Sequence, residues 1–204
     1  MKIKICGLTK PEEAEYLNRN HVDFAGIVLF YEKSKRNNTI ENAVRILEAL
    51  EDSCGKVAVV VSPSIEEVRQ IEKAGFDYIQ IHGTLSDGLR EKISIPILKA
   101  FNVTDIEQCK KYHDCAKIAG YVFDAAEPGS GKVFDWNLVK GLPRDEKLFL
   151  LAGGLTPDNV AEAAAAIRPD GVDVSSGVEY SGKPGKDPEK IDLFVKRVRS
   201  CHKY

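Results

Sequence analysis

The chain has 204 residues, 43% hydrophobic and 29% charged, a balance that excludes disordered and fibrous polypeptides and fits a single folded domain, 1–204, with a sizeable core. Its formal net charge of -2, with both signs interspersed, offers no basic field to a nucleic acid. No run approaches the roughly 20 apolar residues that cross a bilayer, and Met1 to Cys6 lacks the apolar stretch of a signal peptide, so a cytoplasmic location without a membrane partner is expected.

Lys2 to Cys6 opens the chain as a β-rich run in which Ile3 and Ile5 alternate with Lys4 and Cys6. Thr9-Lys10-Pro11 follows as a helix opening, and Phe24 to Leu29 is the second run. Val57 to Val61 leads into the cap Ser62-Pro63-Ser64, and Tyr78 to Ile81 comes fourth. Ile97 to Ala100 precedes Thr104-Asp105, Ile118 to Phe123 precedes Asp135-Trp136, and Leu148 to Leu151 precedes Thr156-Pro157-Asp158, each a strand followed by a helix opening. Val172 to Val174 is the eighth strand, and a closing helix is predicted from Asp187 to Ser200. The charge pairs Glu12-Glu13 and Glu66-Glu67 read as solvated helix faces.

Eight strand-then-helix units suit a closed parallel barrel or an open doubly wound sheet, since both bury each strand beneath crossover helices. The alternation favours the barrel. Ile79 and Ile81 alternate with Gln80 and His82, and Val172 and Val174 with Asp173 and Ser175, so an apolar set can pack under helices while a polar set points inward. The expected fold is α/β, a (β/α)8 TIM barrel with eight parallel strands, trimmed to about 25 residues per unit and carrying its chemistry at the C-terminal mouth.

Glycine-rich segments follow the last three strands: Gly129-Ser130-Gly131-Lys132, Gly153-Gly154 and Ser175-Ser176-Gly177. They are either tight turns or, for the last two, backbone amides gathered around a phosphate. Cys6 ends the first strand on the side of Lys4 and is either a base whose pKa a nearby cation such as Lys4 lowers, or an inert packed thiol. Asp124 ends the sixth strand at the same mouth, from nearly the opposite side, as an acid or a turn carboxylate. Arg36 is positioned to clamp a carboxylate or to be solvated, and His82 to titrate near neutrality or to make a structural hydrogen bond. Asp135 reads as a cap. Five cysteines (Cys6, Cys54, Cys109, Cys115, Cys201), without C-x-x-C pairs or histidines at zinc spacing, argue against a disulfide framework and a metal site.

Five motifs in order then carry a resemblance: Lys4-Ile5-Cys6-Gly7-Leu8-Thr9, Ile79-Gln80-Ile81-His82-Gly83, Gly129 to Trp136, Ala152 to Val160, and Asp173-Val174-Ser175-Ser176-Gly177-Val178-Glu179. Together they resemble the phosphoribosylanthranilate isomerase family of tryptophan biosynthesis almost from end to end. The resemblance implies an Amadori rearrangement with Cys6 as general base and Asp124 as general acid, and neither metal nor organic cofactor. It also implies substrate contacts from Arg36, His82, Gly153, Gly154, Asp173, Ser175, Ser176 and Gly177, the phosphate lying among the amides around Gly154, Ser176 and Gly177. The expected partner is a small phosphorylated molecule, with the chain a monomer or homodimer. Glu32 stands where the family commonly has proline, Pro128 replaces a glycine, Thr84 takes an acidic position, and Ser181 to Lys186 is longer than the usual Pro-Gly-Lys-Lys. A histidine-pathway isomerase, which resembles a longer barrel with aspartate ending its first strand, a binding-only phosphosugar barrel and a metal-dependent epimerase are the competing readings. Cys6 argues against the first, the pairing of Cys6 with Asp124 against the second, and the lone His82 against the third.

Overall fold

A computed structural model of the chain describes residues 1–102, 104–124, 136–142 and 144–201. Pro128, the Gly129–Lys132 loop and the Asp135 cap lie outside them. Eight strands form the wall: β1 (Lys2–Cys6), β2 (Phe24–Leu29), β3 (Gly55–Val61), β4 (Tyr78–His82), β5 (Ile97–Asn102), β6 (Ile118–Asp124), β7 (Leu148–Leu151) and β8 (Gly171–Val174). Each pairs in parallel with the next, and β1 pairs with both β2 (Cys6 opposite Gly26) and β8 (Lys4 opposite Asp173), so the ring is closed. A two-residue strand, Asn37–Asn38, prolongs the sheet beside the end of β2.

The expected runs fall on these strands with ends shifted by a residue or two. Among the described residues seven α-helices surround them: α1 (Glu12–Arg19), α2 (Ile40–Ala49), α3 (Ile65–Ala74), α4 (Asp87–Lys92), α5 (Asn137–Lys140), α6 (Val160–Ile167) and α7 (Pro188–Ser200). Ser64 starts α3 with a capping box, its Oγ accepting from Glu67 N while Glu67 accepts from Ser64 N, and Asp187 caps α7. Glu67 is therefore a cap as well as part of the solvated face expected of it. Two helices lie outside the predicted set: α2, capped by Thr39, and α4, capped by Ser86. Thr104-Asp105 opens only a 3-10 helix, Ile106–Tyr112, to which Asp105 gives no side-chain cap bond.

Two apolar layers result. Ile3, Ile5, Ile79, Ile81, Val172 and Val174 pack outward against Leu17, Ile46, Ile71, Phe194 and Val198 of the helices. Inside the ring sit Phe24, Val57, Val59, Leu98, Ala100, Val122, Leu150 and Ala152. The polar faces expected on β1, β4 and β8 are present, with Lys4, Gln80 and Asp173 buried; β5 adds the buried Lys99, and Asn102 and Asp124 end β5 and β6 at the mouth. Lys4 and Asp173 thus face Gln80 across an otherwise apolar interior.

Candidate active site

A cavity of about 780 Å³ opens at the C-terminal ends of the strands. Cys6, Arg36, Gln80, His82, Asn102, Asp124, Gly153, Gly154, Asp173, Ser175 and Ser176 all line it, so residues from seven separate segments converge. Of the site residues read from sequence, only Gly177 is set back from the lining. It lies in a 3-10 turn, Ser176–Val178, where a side chain would collide with the Leu155 carbonyl; glycine lets the loops after β7 and β8 pack on one another. Gly153 and Gly154 both adopt left-handed φ, +84° and +66°, in the loop after β7.

Beneath Cys6, Lys4 is fully buried with its Nζ 2.9 Å from Asp173 Oδ2. Burial opposes the charge on Lys4, but Asp173 and Cys6 outweigh it and raise its pKa, so the ammonium persists. Burial also raises the Cys6 thiol, against which Lys4 and Lys186 pull downward. The expected lowering is therefore present as an attraction from Lys4, but desolvation outweighs it. Gly26 of β2 makes this arrangement possible: a Cβ there would sit 2.9 Å from Cys6 Sγ and 3.0 Å from Lys4 Nζ. Nothing in the sequence reading singled out Gly26.

His82 does not titrate near neutrality. Burial, with Lys99 and Lys4 nearby, lowers it to about 3, and its Nε2 lies 2.8 Å from Gln80 Nε2. Ser175 is tied to the end of β1 by a hydrogen bond from its Oγ to Cys6 O. Asp124 stands three strands round the ring from Cys6 and shares the cavity with it.

Arg36 hangs over Gly7, whose φ of +80° and missing side chain leave room for it. Its Nε donates to Glu179 Oε1, while its buried Nη2 has no partner among the described residues. Glu179 also holds Lys35 (2.9 Å) and the fully buried Lys186 (3.2 Å). Burial acts to raise the Glu179 pKa, but Arg36, Lys186 and Lys35 bring it down to about 2. The segment Ser181 to Lys186 folds as a small hairpin: Glu179 bridges Lys186 and Tyr180 N donates to Gly185 O. Glu13, read from sequence as solvated, is instead buried. Its carboxylate accepts from Thr9 N (2.7 Å), Lys10 N (3.3 Å) and Lys186 N (2.7 Å), joining the loop after β1 to that hairpin. A cavity with a thiol, a carboxylate, an open guanidinium nitrogen and glycine loops can hold an anionic ligand while moving protons on it.

Residues 3–197 match the family model described as N-(5'phosphoribosyl)anthranilate (PRA) isomerase. The chain is 36% identical to the N-(5'-phosphoribosyl)anthranilate isomerase of Aquifex aeolicus, over 98% of this chain and 99% of that one. Against that of Streptococcus pneumoniae identity is 39%, covering 97% and 96%. The solved phosphoribosyl anthranilate isomerase of Thermus thermophilus superposes with a TM-score of 0.86 at 31% identity, covering 98% and 99%. Another isomerase of this type, solved in complex with reduced 1-(o-carboxyphenylamino)-1-deoxyribulose 5-phosphate, gives 0.82 at 33%, covering 98% and 99%.

Proposed function

The chain belongs to the N-(5'-phosphoribosyl)anthranilate isomerase family, an enzyme of tryptophan biosynthesis, and from that premise we propose that it rearranges N-(5-phosphoribosyl)anthranilate to 1-(2-carboxyphenylamino)-1-deoxyribulose 5-phosphate with Cys6 as base and Asp124 as acid. Asp124 protonates the furanose ring oxygen as the anthranilate nitrogen pushes the C1–O bond open, leaving a Schiff base. The Cys6 thiolate then takes the proton from C2; the C2–H pair becomes the C1=C2 double bond and the C1=N π pair returns to nitrogen, giving an enolamine. Loss of the C2 hydroxyl proton and protonation of C1 complete the ketone. The substrate's own nitrogen supplies the electron push, so positioned proton transfers, each worth about 10²- to 10⁴-fold, are sufficient.

The observation that carries this reading is the convergence of Cys6 and Asp124 on one cavity whose lining includes Arg36, with its Nη2 buried and unpartnered among the described residues. That nitrogen suits the anthranilate carboxylate. The amides around Gly154, Ser176 and Gly177 suit the phosphate, and His82, Gly153, Asp173 and Ser175 complete the contact surface. We further read the chain as one domain acting in the cytoplasm on a small molecule, as a monomer or a homodimer.

The test follows the fluorescence of phosphoribosylanthranilate with purified wild-type protein and Asp124→Asn. Rapid decay with the wild type, slowed by about 10²-fold or more in the variant, supports the reading. No decay with the wild type contradicts it and favours the two-phosphate substrate of the histidine pathway or a binding-only barrel.

A further inference from the structure

Two side chains that line the cavity each carry a buried oxygen that accepts no hydrogen bond from the described residues. Gln80 is 2% exposed and its Oε1 has no partner among the described residues; Asp173 is 7% exposed and its Oδ1 is likewise open. Both line the cavity, from strands that stand four places apart in the ring of eight and so face each other. Their other ends are anchored. Asp173 Oδ2 holds Lys4 Nζ at 2.9 Å, and Gln80 Nε2 lies 2.8 Å from His82 Nε2. With the His82 proton on Nδ1, its Nε2 lone pair takes the Gln80 amide N–H and leaves Gln80 Oε1 as the open end.

Buried acceptors are almost always matched, so an open pair at a cavity marks where a ligand brings donors. The ligand group that fits is a neutral hydroxyl. A phosphate or carboxylate brings no proton and is repelled by Asp173, and an apolar ring would leave both oxygens unpaired. Resting on the phosphoribosyl substrate proposed above, we propose that Gln80 Oε1 and Asp173 Oδ1 accept hydrogen bonds from hydroxyls of the pentose, and that Gln80 sets specificity for a hydroxylated sugar over a deoxy one. A site built to pair a hydroxyl discriminates strongly against its absence, because the site's own acceptor is then stranded.

The experiment is a calorimetric titration of wild type and Gln80→Met with the unreactive reduced product and with analogues of it lacking the C2 or the C3 hydroxyl. Methionine matches glutamine in length and has no strong acceptor. Wild type is expected to lose tenfold or more in affinity for at least one deoxy analogue, and Gln80→Met to bind that analogue and its parent within about twofold. Equal discrimination by both proteins overturns the role of Gln80. Equal binding of all three ligands by the wild type overturns it too, whether or not the variant folds. Failure of the wild type to bind the reduced product removes the substrate assignment, and this inference with it.

Discussion

A thiol in a dry pocket makes a poor base unless something nearby holds its anion, and in this chain that neighbour is Lys4. Burial raises the Cys6 pKa and Lys4 counters it, itself kept charged by Asp173. A base works deprotonated, so activity should rise with pH through the thiol's pKa. Lys4→Met should move that rise to higher pH and slow alkylation of Cys6 at neutral pH; an unchanged alkylation profile would show that Lys4 does not act on the thiol. Gly26→Ala should disturb the same pair, because its Cβ would lie within 3.0 Å of both Sγ and Nζ. Turnover is expected to fall at least tenfold with the melting temperature less affected, measured by steady-state kinetics beside thermal unfolding; full turnover would refute the packing argument. The places of Cys6, Asp124 and Arg36 at the mouth are legible in the sequence because each ends or follows a strand. Gly26 was not, since what it touches is decided by the pairing of β2 with β1.

Secondary-structure elements here carry loops as much as core. Helix α1 presents Glu13 to three backbone N–H groups belonging to two loops, and through Lys186 it reaches the Glu179 carboxylate that holds Arg36. In sequence Glu13 is one of two adjacent glutamates, and only the docking of α1 beside the end of β8 distinguishes it from the exposed Glu12. Glu13→Ala strands these donors and should cost about 1–3 kcal/mol of stability in denaturant unfolding. It should also raise KM more than it lowers kcat, because the clamp loosens while Cys6 stays in place. A loss confined to stability would detach Glu13 from the site. The unread helix α2 had a signal of its own, Thr39 followed by apolar Ala43, Ile46 and Leu47 at helical spacing, whereas α4 buries no side chain and had only Ser86 to mark it.

For the molecule as a whole, the eight-unit alternation made the barrel legible, since β1, β4 and β8 each carry one apolar and one polar face. The remaining strands show no such alternation in the sequence, because their inward positions are filled by Phe24, Val57, Val59, Leu98, Ala100, Val122, Leu150 and Ala152. Closure then brings Cys6, at the end of β1, and Asp124, at the end of β6, to one cavity although 118 positions separate them in sequence. The division of labour between them is tested most directly by comparing wild type with Cys6→Ala for turnover of phosphoribosylanthranilate and for affinity toward the reduced product. We predict a loss of about 10²-fold or more in kcat with affinity kept within a few-fold, since in the proposed mechanism the thiolate acts in the transition state rather than in binding. Near-normal turnover by Cys6→Ala would remove Cys6 from the mechanism and contradict the account.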